Sequence, residues 1–146
     1  MWKNMYEKII LPTDGSESSE KEVLRATKLL KEGGEVIIVS VAMKIRAVQF
    51  QSKKHVRQTN EEAIKEAEKA VLNMKNLFDD DINVRTEVKV GFPAETINKL
   101  AADEGADLII IANSGKSGVR KFVIGSVAEK VLSDAEVDVL LVHNAD

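Results

Sequence analysis

The sequence predicts an α/β protein, a parallel sheet covered by helices, and three observations carry that prediction. Short apolar runs alternate with amphipathic stretches from one end of the chain to the other, in the order β-α-β-α-β-α-β-α-β. Residues 36–42 and 108–112 are almost wholly apolar, as strands covered on both faces must be. Turn-forming residues punctuate the boundaries, among them Gly15, the pair Gly33-Gly34, Gly91, Gly105 and Gly115.

Tyr6 to Leu11 reads as the first strand, stopped by the turn Pro12-Thr13-Asp14-Gly15-Ser16. In the helix that follows, Ser19 and Glu22 match the two ends of a capping box, whose side chains take up N–H groups that a helix start leaves unpaired. Val23, Ala26, Thr27 and Leu30 recur at helical spacing, and Gly33-Gly34 supplies the stop. Residues 36–42, short and β-branched, make the second strand. Residues 44–58 show no period, and their acid-free cations Lys44, Arg46, Lys53, Lys54 and Arg57 read as a solvated loop. Thr59 and Glu62 form a second capping box, ahead of a helix face built from Ile64, Ala67, Val71, Met74 and Phe78.

After the acidic turn Asp79-Asp80-Asp81, Val84, Thr86, Val88 and Val90 alternate with Arg85, Glu87 and Lys89, which describes a strand with one exposed face near a sheet edge. Gly91-Phe92-Pro93 breaks the chain. Pro93 suits the first helical position, Ile97, Leu100 and Ala101 give an apolar face, and Gly105 stands where a C-terminal cap glycine belongs. Residues 108–112 form the fourth strand. A short helix runs from Ser126 through Val127, Val131 and Leu132 to Ser133-Asp134, and Val139, Leu140, Leu141 and Val142 form the fifth strand. With right-handed crossovers this alternation yields one parallel sheet with helices on both faces, Rossmann-like in outline.

The 146 residues fit a single domain over 1–146, long enough to bury about two-thirds of the unfolded surface. A net charge of −3 argues against a general nucleic-acid binder. No apolar run approaches the roughly 18 residues that span a bilayer, and the N-terminal residues lack the apolar core of a signal peptide, so no membrane partner and a cytoplasmic location are expected. The absence of cysteine removes disulfides, thiolate catalysis and Cys-based zinc. His55 and His143 have no companion at ligand spacing, and no nucleophile–base pair is visible, so neither a transition-metal centre nor an obvious catalytic residue is expected.

Residues 107–126 say most about function. An apolar strand ends in a glycine-bearing turn, and Gly125-Ser126 opens a helix ten residues after Gly115. Glycine lets N–H groups approach an anion closely, a helix start presents unpaired donors, and Ser126 adds a hydroxyl, so Gly115, Gly125 and Ser126 are assigned to phosphates. Lys116, Arg120 and Lys121 flank that loop. The common phosphate motifs do not fit: Ile110 stands where a P-loop ending Gly115-Lys116-Ser117 needs glycine, the first turn holds only Gly15 where a dinucleotide fingerprint needs three, and the third strand ends Val88-Lys89-Val90-Gly91, with no acceptor Asp for a phosphorelay.

The stretches Ile9-Ile10-Leu11-Pro12-Thr13-Asp14-Gly15-Ser16, Gly91-Phe92-Pro93-Ala94-Glu95, Ala106-Asp107-Leu108-Ile109-Ile110 and Gly125-Ser126-Val127-Ala128-Glu129-Lys130-Val131 together resemble the universal stress protein family over nearly the whole chain. The resemblance implies a five-stranded sheet in the order 3-2-1-4-5, with a ligand crevice where strands one and four send their helices to opposite faces. In the ATP-binding branch the signature G-x₂-G-x₉-G-[ST] puts glycine at positions 112, 115 and 125. Here Ala112 departs from it while Gly115, Gly125 and Ser126 match. If position 112 needs a left-handed backbone, alanine costs about 1–2 kcal/mol; if the ligand passes over it, the methyl blocks the site.

The resemblance further implies that Val41 lines an adenine pocket, with Ile111, Ala112 and Val127 close to the ligand. Thr13 and Asp14 stand beside it, Asp14 meeting the adenine, the ribose or a Mg²⁺ or Mn²⁺ ion carried by the nucleotide. The expectation is therefore a stress-response protein that binds ATP or a related adenine nucleotide as a signal, with at most slow hydrolysis, and that forms a homodimer through Val139 to Val142. A nucleotide-free homodimeric interaction module is the alternative. The Ser-Gly-Gly loop of adenylating relatives is not matched by Thr13-Asp14-Gly15-Ser16-Glu17-Ser18.

Overall fold

Strand β1, Tyr6–Pro12, occupies the middle of the sheet, and its residues Ile9, Ile10 and Leu11 are wholly buried. The computed structural model describes residues 5–15, 19–43, 53–113 and 124–143. Helix α1, Ser19–Leu29, and strand β2, Leu30–Ala42, come next, then helix α2, Lys53–Lys75, and strand β3, Asn83–Val90. Helix α3, Pro93–Glu104, strand β4, Leu108–Ala112, helix α4, Ser126–Asp134, and strand β5, Asp138–Val142, complete the order. The five strands lie parallel in the order β3-β2-β1-β4-β5, the predicted topology.

Successive strand residues face opposite sides, so each central strand feeds two apolar layers at once. Ile9, Leu11, Val36, Ile38, Leu108 and Ile110 pack with Val23 and Ala26 of α1 and with Val71 and Met74 of α2. On the other face Ile10, Ile37, Val39, Ile109 and Ile111 meet Ala94, Ile97, Leu100 and Ala101 of α3 and Val131 of α4. At about 1.5–3 kcal/mol for each large side chain buried, these layers hold the fold together. Among the described residues no helix is long and apolar enough to cross a membrane.

Three element boundaries differ from the sequence reading, each for a physical reason. Helix α1 ends at Leu29, and Leu30 already pairs with Tyr6, so Gly33-Gly34 does not stop the helix. The register jumps from Tyr6↔Leu30 to Lys8↔Glu35, and the glycines serve that bulge: Gly33 has φ +82°, and a Cβ on Gly34 would stand 2.7 Å from the Glu7 carbonyl oxygen. Helix α2 begins at Lys53, so Thr59 and Glu62 lie inside it rather than at its start. Among its described early residues Lys54, Arg57 and Gln58 are exposed and polar, so they contribute nothing to an apolar stripe. Phe78 falls beyond the helix, in a turn closed by hydrogen bonds from Leu77 to Met74 and from Phe78 to Lys75, yet is buried as expected.

Other features match the reading. Pro93 opens α3, and Gly105, at φ +66°, caps it while its N–H reaches the carbonyls of the last turn. At the lower end of the sheet the Asp107 carboxylate accepts the N–H groups of Glu7 and Lys8, both at 3.0 Å, and Lys8 donates to the Glu104 carbonyl. Strands β1 and β4 are therefore tied at their starts.

Candidate functional site

Strands β1 and β4 pair only at Ile9↔Leu108 and Ile10↔Ile109, whereas β1 stays with β2 up to Pro12↔Val39 and β4 stays with β5 up to Ala112↔Val142. The cause is Pro12. Thr13 donates its N–H to the Val39 carbonyl at 2.9 Å, toward β2, so by strand alternation the preceding nitrogen faces β4, where proline has no hydrogen to give. The ladder stops and the two strands part. Since α1 packs on one face and α4 on the other, the gap opens as a crevice at the point where the strand order reverses.

The near wall is the turn after β1. Thr13 is buried, and its hydroxyl accepts the Gly15 N–H at 3.1 Å, while Gly15 takes φ +85°. Asp14 is exposed beside them. Half-buried Val41, two residues past the partner of Pro12 on β2, overhangs the end of β1. These positions bring Thr13, Asp14 and Val41 to one end of the sheet.

The far wall is the end of β4. Ala112 is a strand residue in register with Val142, so no left-handed strain arises there and that part of the concern about a missing glycine falls away. The side chain of Ile111 belongs to the apolar layer under α3 and α4, and its backbone lies one residue before Ala112 at the end of β4. Asn113 is 5% exposed, donates its N–H to Val142 at 2.9 Å, and sets its amide nitrogen 3.2 Å from Nδ1 of His143. Its carbonyl accepts the N–H of Gly125, and the Gly125 carbonyl in turn accepts Glu129 N–H in the first turn of α4. With the Gly125 N–H engaged by Asn113, an anion at this helix start would be met by the N–H groups of Ser126 and Val127, both exposed. Gly115, Lys116, Arg120 and Lys121 lie outside the described residues.

Between the walls stands Glu22, which the sequence reading had placed in a capping box. It lies in the fourth position of α1, only 1% exposed, and its carboxyl accepts the backbone N–H of Ala112. Burial foremost, then the charge of Asp14, pushes this carboxyl up to about 8, against the lowering effect of the Ala112 hydrogen bond. Hydrogen bonds and chain continuity thus link Glu22 through Ala112 and Asn113 to Gly125, and Asp14 lies near enough for its charge to act on Glu22. Neither Glu22 nor Asn113 is among the site residues that the sequence predicts. For Glu22 the legible signal was an acid on the same helix face as Ala26, one turn away. Among the described residues no group of three or more His, Cys, Asp or Glu side chains is placed to hold a metal ion.

The sequence model of the universal stress protein family matches residues 5–143. The chain belongs to the universal stress protein family. This universal stress protein is 32% identical over 142 residues to universal stress protein MJ0531 of Methanocaldococcus jannaschii, covering 96% of this chain and 84% of that one. The solved structure of MJ0577, from the same organism, superposes with a TM-score of 0.82 at 32% identity, over 97% of this chain and 99% of that one. A universal stress protein solved in complex with cAMP superposes with a TM-score of 0.63 at 25% identity, over 97% of this chain and 99% of that one.

Proposed function

We propose that this universal stress protein binds ATP or a related adenine nucleotide in the fork between β1 and β4, and that the nucleotide serves as a sensed signal with at most slow hydrolysis. The observation that carries the reading is the fork itself, where the Thr13-Asp14 turn lies near Glu22 and Glu22 connects through Ala112 and Asn113 to the start of α4. The phosphates would lie at Ser126 and Val127, where N–H groups and a hydroxyl face an open helix start, with Gly115 and Gly125 giving close approach. The base would lie toward Val41, with Ile111 and Ala112 close by at the end of β4. Asp14, exposed at the mouth, suits a ribose hydroxyl or a Mg²⁺ or Mn²⁺ ion that the nucleotide brings.

Equilibrium dialysis against ATP, AMP and cAMP tests the reading, with saturable binding of at least one expected. No saturation at millimolar ligand, an affinity of about −4 kcal/mol, sinks it. One observation favours a second reading, a nucleotide-free interaction module: the Gly125 N–H is already paired, and Ala112 carries a methyl group at the fork. Both readings share a homodimer built on edge strand β5, whose Val139, Leu140 and Leu141 are only partly buried, and a cytoplasmic location. Mass spectrometry of the natively purified protein separates them by the presence or absence of a released nucleotide.

A further inference from the structure

The polar side chains buried among the described residues are Thr13, Glu22, Ser40 and Asn113, and three of these four stand at the fork. Glu22 is the anomaly, an acid sealed on the side of α1 that also buries Val23 and Ala26. Burying a carboxyl is costly unless it finds a hydrogen-bond partner, and burying an unpaired strand N–H is costly as well. Each cost here is removed by the other. Asn113 donates toward β5, so Ala112, its neighbour, donates the opposite way, toward β1. In an unbroken ladder the carbonyl of Pro12 would accept that N–H and draw the strands together. Since the pairing has stopped at Ile10↔Ile109, the Glu22 carboxyl accepts it instead.

We infer that Glu22 is a positioning residue that keeps the β1/β4 fork open: its carboxyl takes the Ala112 N–H in place of β1 and so fixes the backbone from which Asn113 and the glycine loop depart. Pro12, Glu22 and Ala112 then act as one device. Pro12 withholds the donor that would zip the strands, and Glu22 satisfies the donor left over on β4. Helix α1 thereby holds a wall of the crevice without itself touching a ligand. The effect on nucleotide affinity rests on the function proposed above, whereas the effect on the Ala112 amide does not.

The test uses the whole protein and two substitutions, Glu22→Gln, which keeps an acceptor of the same shape, and Glu22→Met, which fills the space without one. Amide hydrogen exchange without ligand and equilibrium dialysis with AMP are the two measurements. In the unaltered protein and in Glu22→Gln, the Ala112 amide is expected to exchange as slowly as that of Ile110, and AMP affinity is expected to agree within about two-fold. In Glu22→Met, Ala112 exchange is expected to speed up and AMP affinity to fall, each by about ten-fold, with the amides of residues 108–110 unchanged. Rapid Ala112 exchange in the unaltered protein overturns the inference, a result that needs no variant to fold. So does a Glu22→Met protein that matches the original in both measurements, since packing alone would then explain the residue. If the unaltered protein binds no AMP, ATP or cAMP, the proposed function falls, and Ala112 exchange across the three proteins still decides the role of Glu22.

Discussion

A buried acid makes stability depend on pH in a direction that follows from its shift. Glu22 is raised from the ordinary 4.5 to about 8, so between those values the folded protein holds a proton that the unfolded chain has released. Its contribution is whole below pH 4.5 and is lost as pH rises toward 8, at a rate approaching 1.4 kcal/mol per pH unit. Denaturant midpoints measured from pH 5 to 8 are expected to fall more steeply in the unaltered protein than in Glu22→Gln; parallel curves would contradict this. Gly34 stands in equally close quarters. A Cβ there meets backbone oxygen at 2.7 Å and the Leu30 side chain at 2.8 Å, so Gly34→Ala is expected to cost about 1–3 kcal/mol in urea unfolding. Neither role is visible in a local pattern: Ser19 and Glu22 have capping-box spacing, and Gly33-Gly34 has the look of a helix stop, yet Glu22 belongs to the crevice and the glycine pair to a bulge.

At the scale of elements, the chain announced strands better than helix boundaries. Strand β4 falls at residues 108–112 and α4 starts at Ser126 as predicted, because a run buried on both faces must be apolar throughout and a Gly-Ser start is local chemistry. Helix α2 began earlier than expected, and the described side chains of its first turns, Lys54, Arg57 and Gln58, are polar and exposed, so they add no apolar period to the sequence. The β1/β4 fork is likewise an event between elements, and Pro12 is its handle. Pro12→Ala restores an N–H aimed at β4, which is expected to extend the ladder, give the new residue-12 amide exchange as slow as that of Ile10, and lower nucleotide affinity by about ten-fold, while stability stays level or rises. Binding equal to that of the original protein would show that the missing donor does not set the crevice.

For the whole molecule, sheet order decides which strands are left with an open side. Strands β3 and β5 are the edges, and β5 exposes partly buried Val139, Leu140 and Leu141 rather than the Arg85, Glu87 and Lys89 that mark β3. Like-charged side chains brought together along a paired edge repel, so Val139→Lys is expected to convert the proposed dimer to monomer in sedimentation equilibrium while circular dichroism stays the same. A monomeric unaltered protein would remove β5 as the interface.

By itself the sequence determined the α/β class, the five strands, the caps of α3, the universal stress protein resemblance and the two loops that carry the candidate site, since each is written in a period, a turn residue or a motif a few residues long. Tertiary structure alone decided that Glu22 would lie under the crevice, that Asn113 would hold Gly125, and that β1 and β4 would part after Ile10 and Ile109. Two of those outcomes join residues 90 or more positions apart, Glu22 with Ala112 and Ile10 with Ile109. Whether a buried carboxyl finds a partner depends on which N–H group the rest of the fold leaves unpaired, and no local stretch of sequence contains that information.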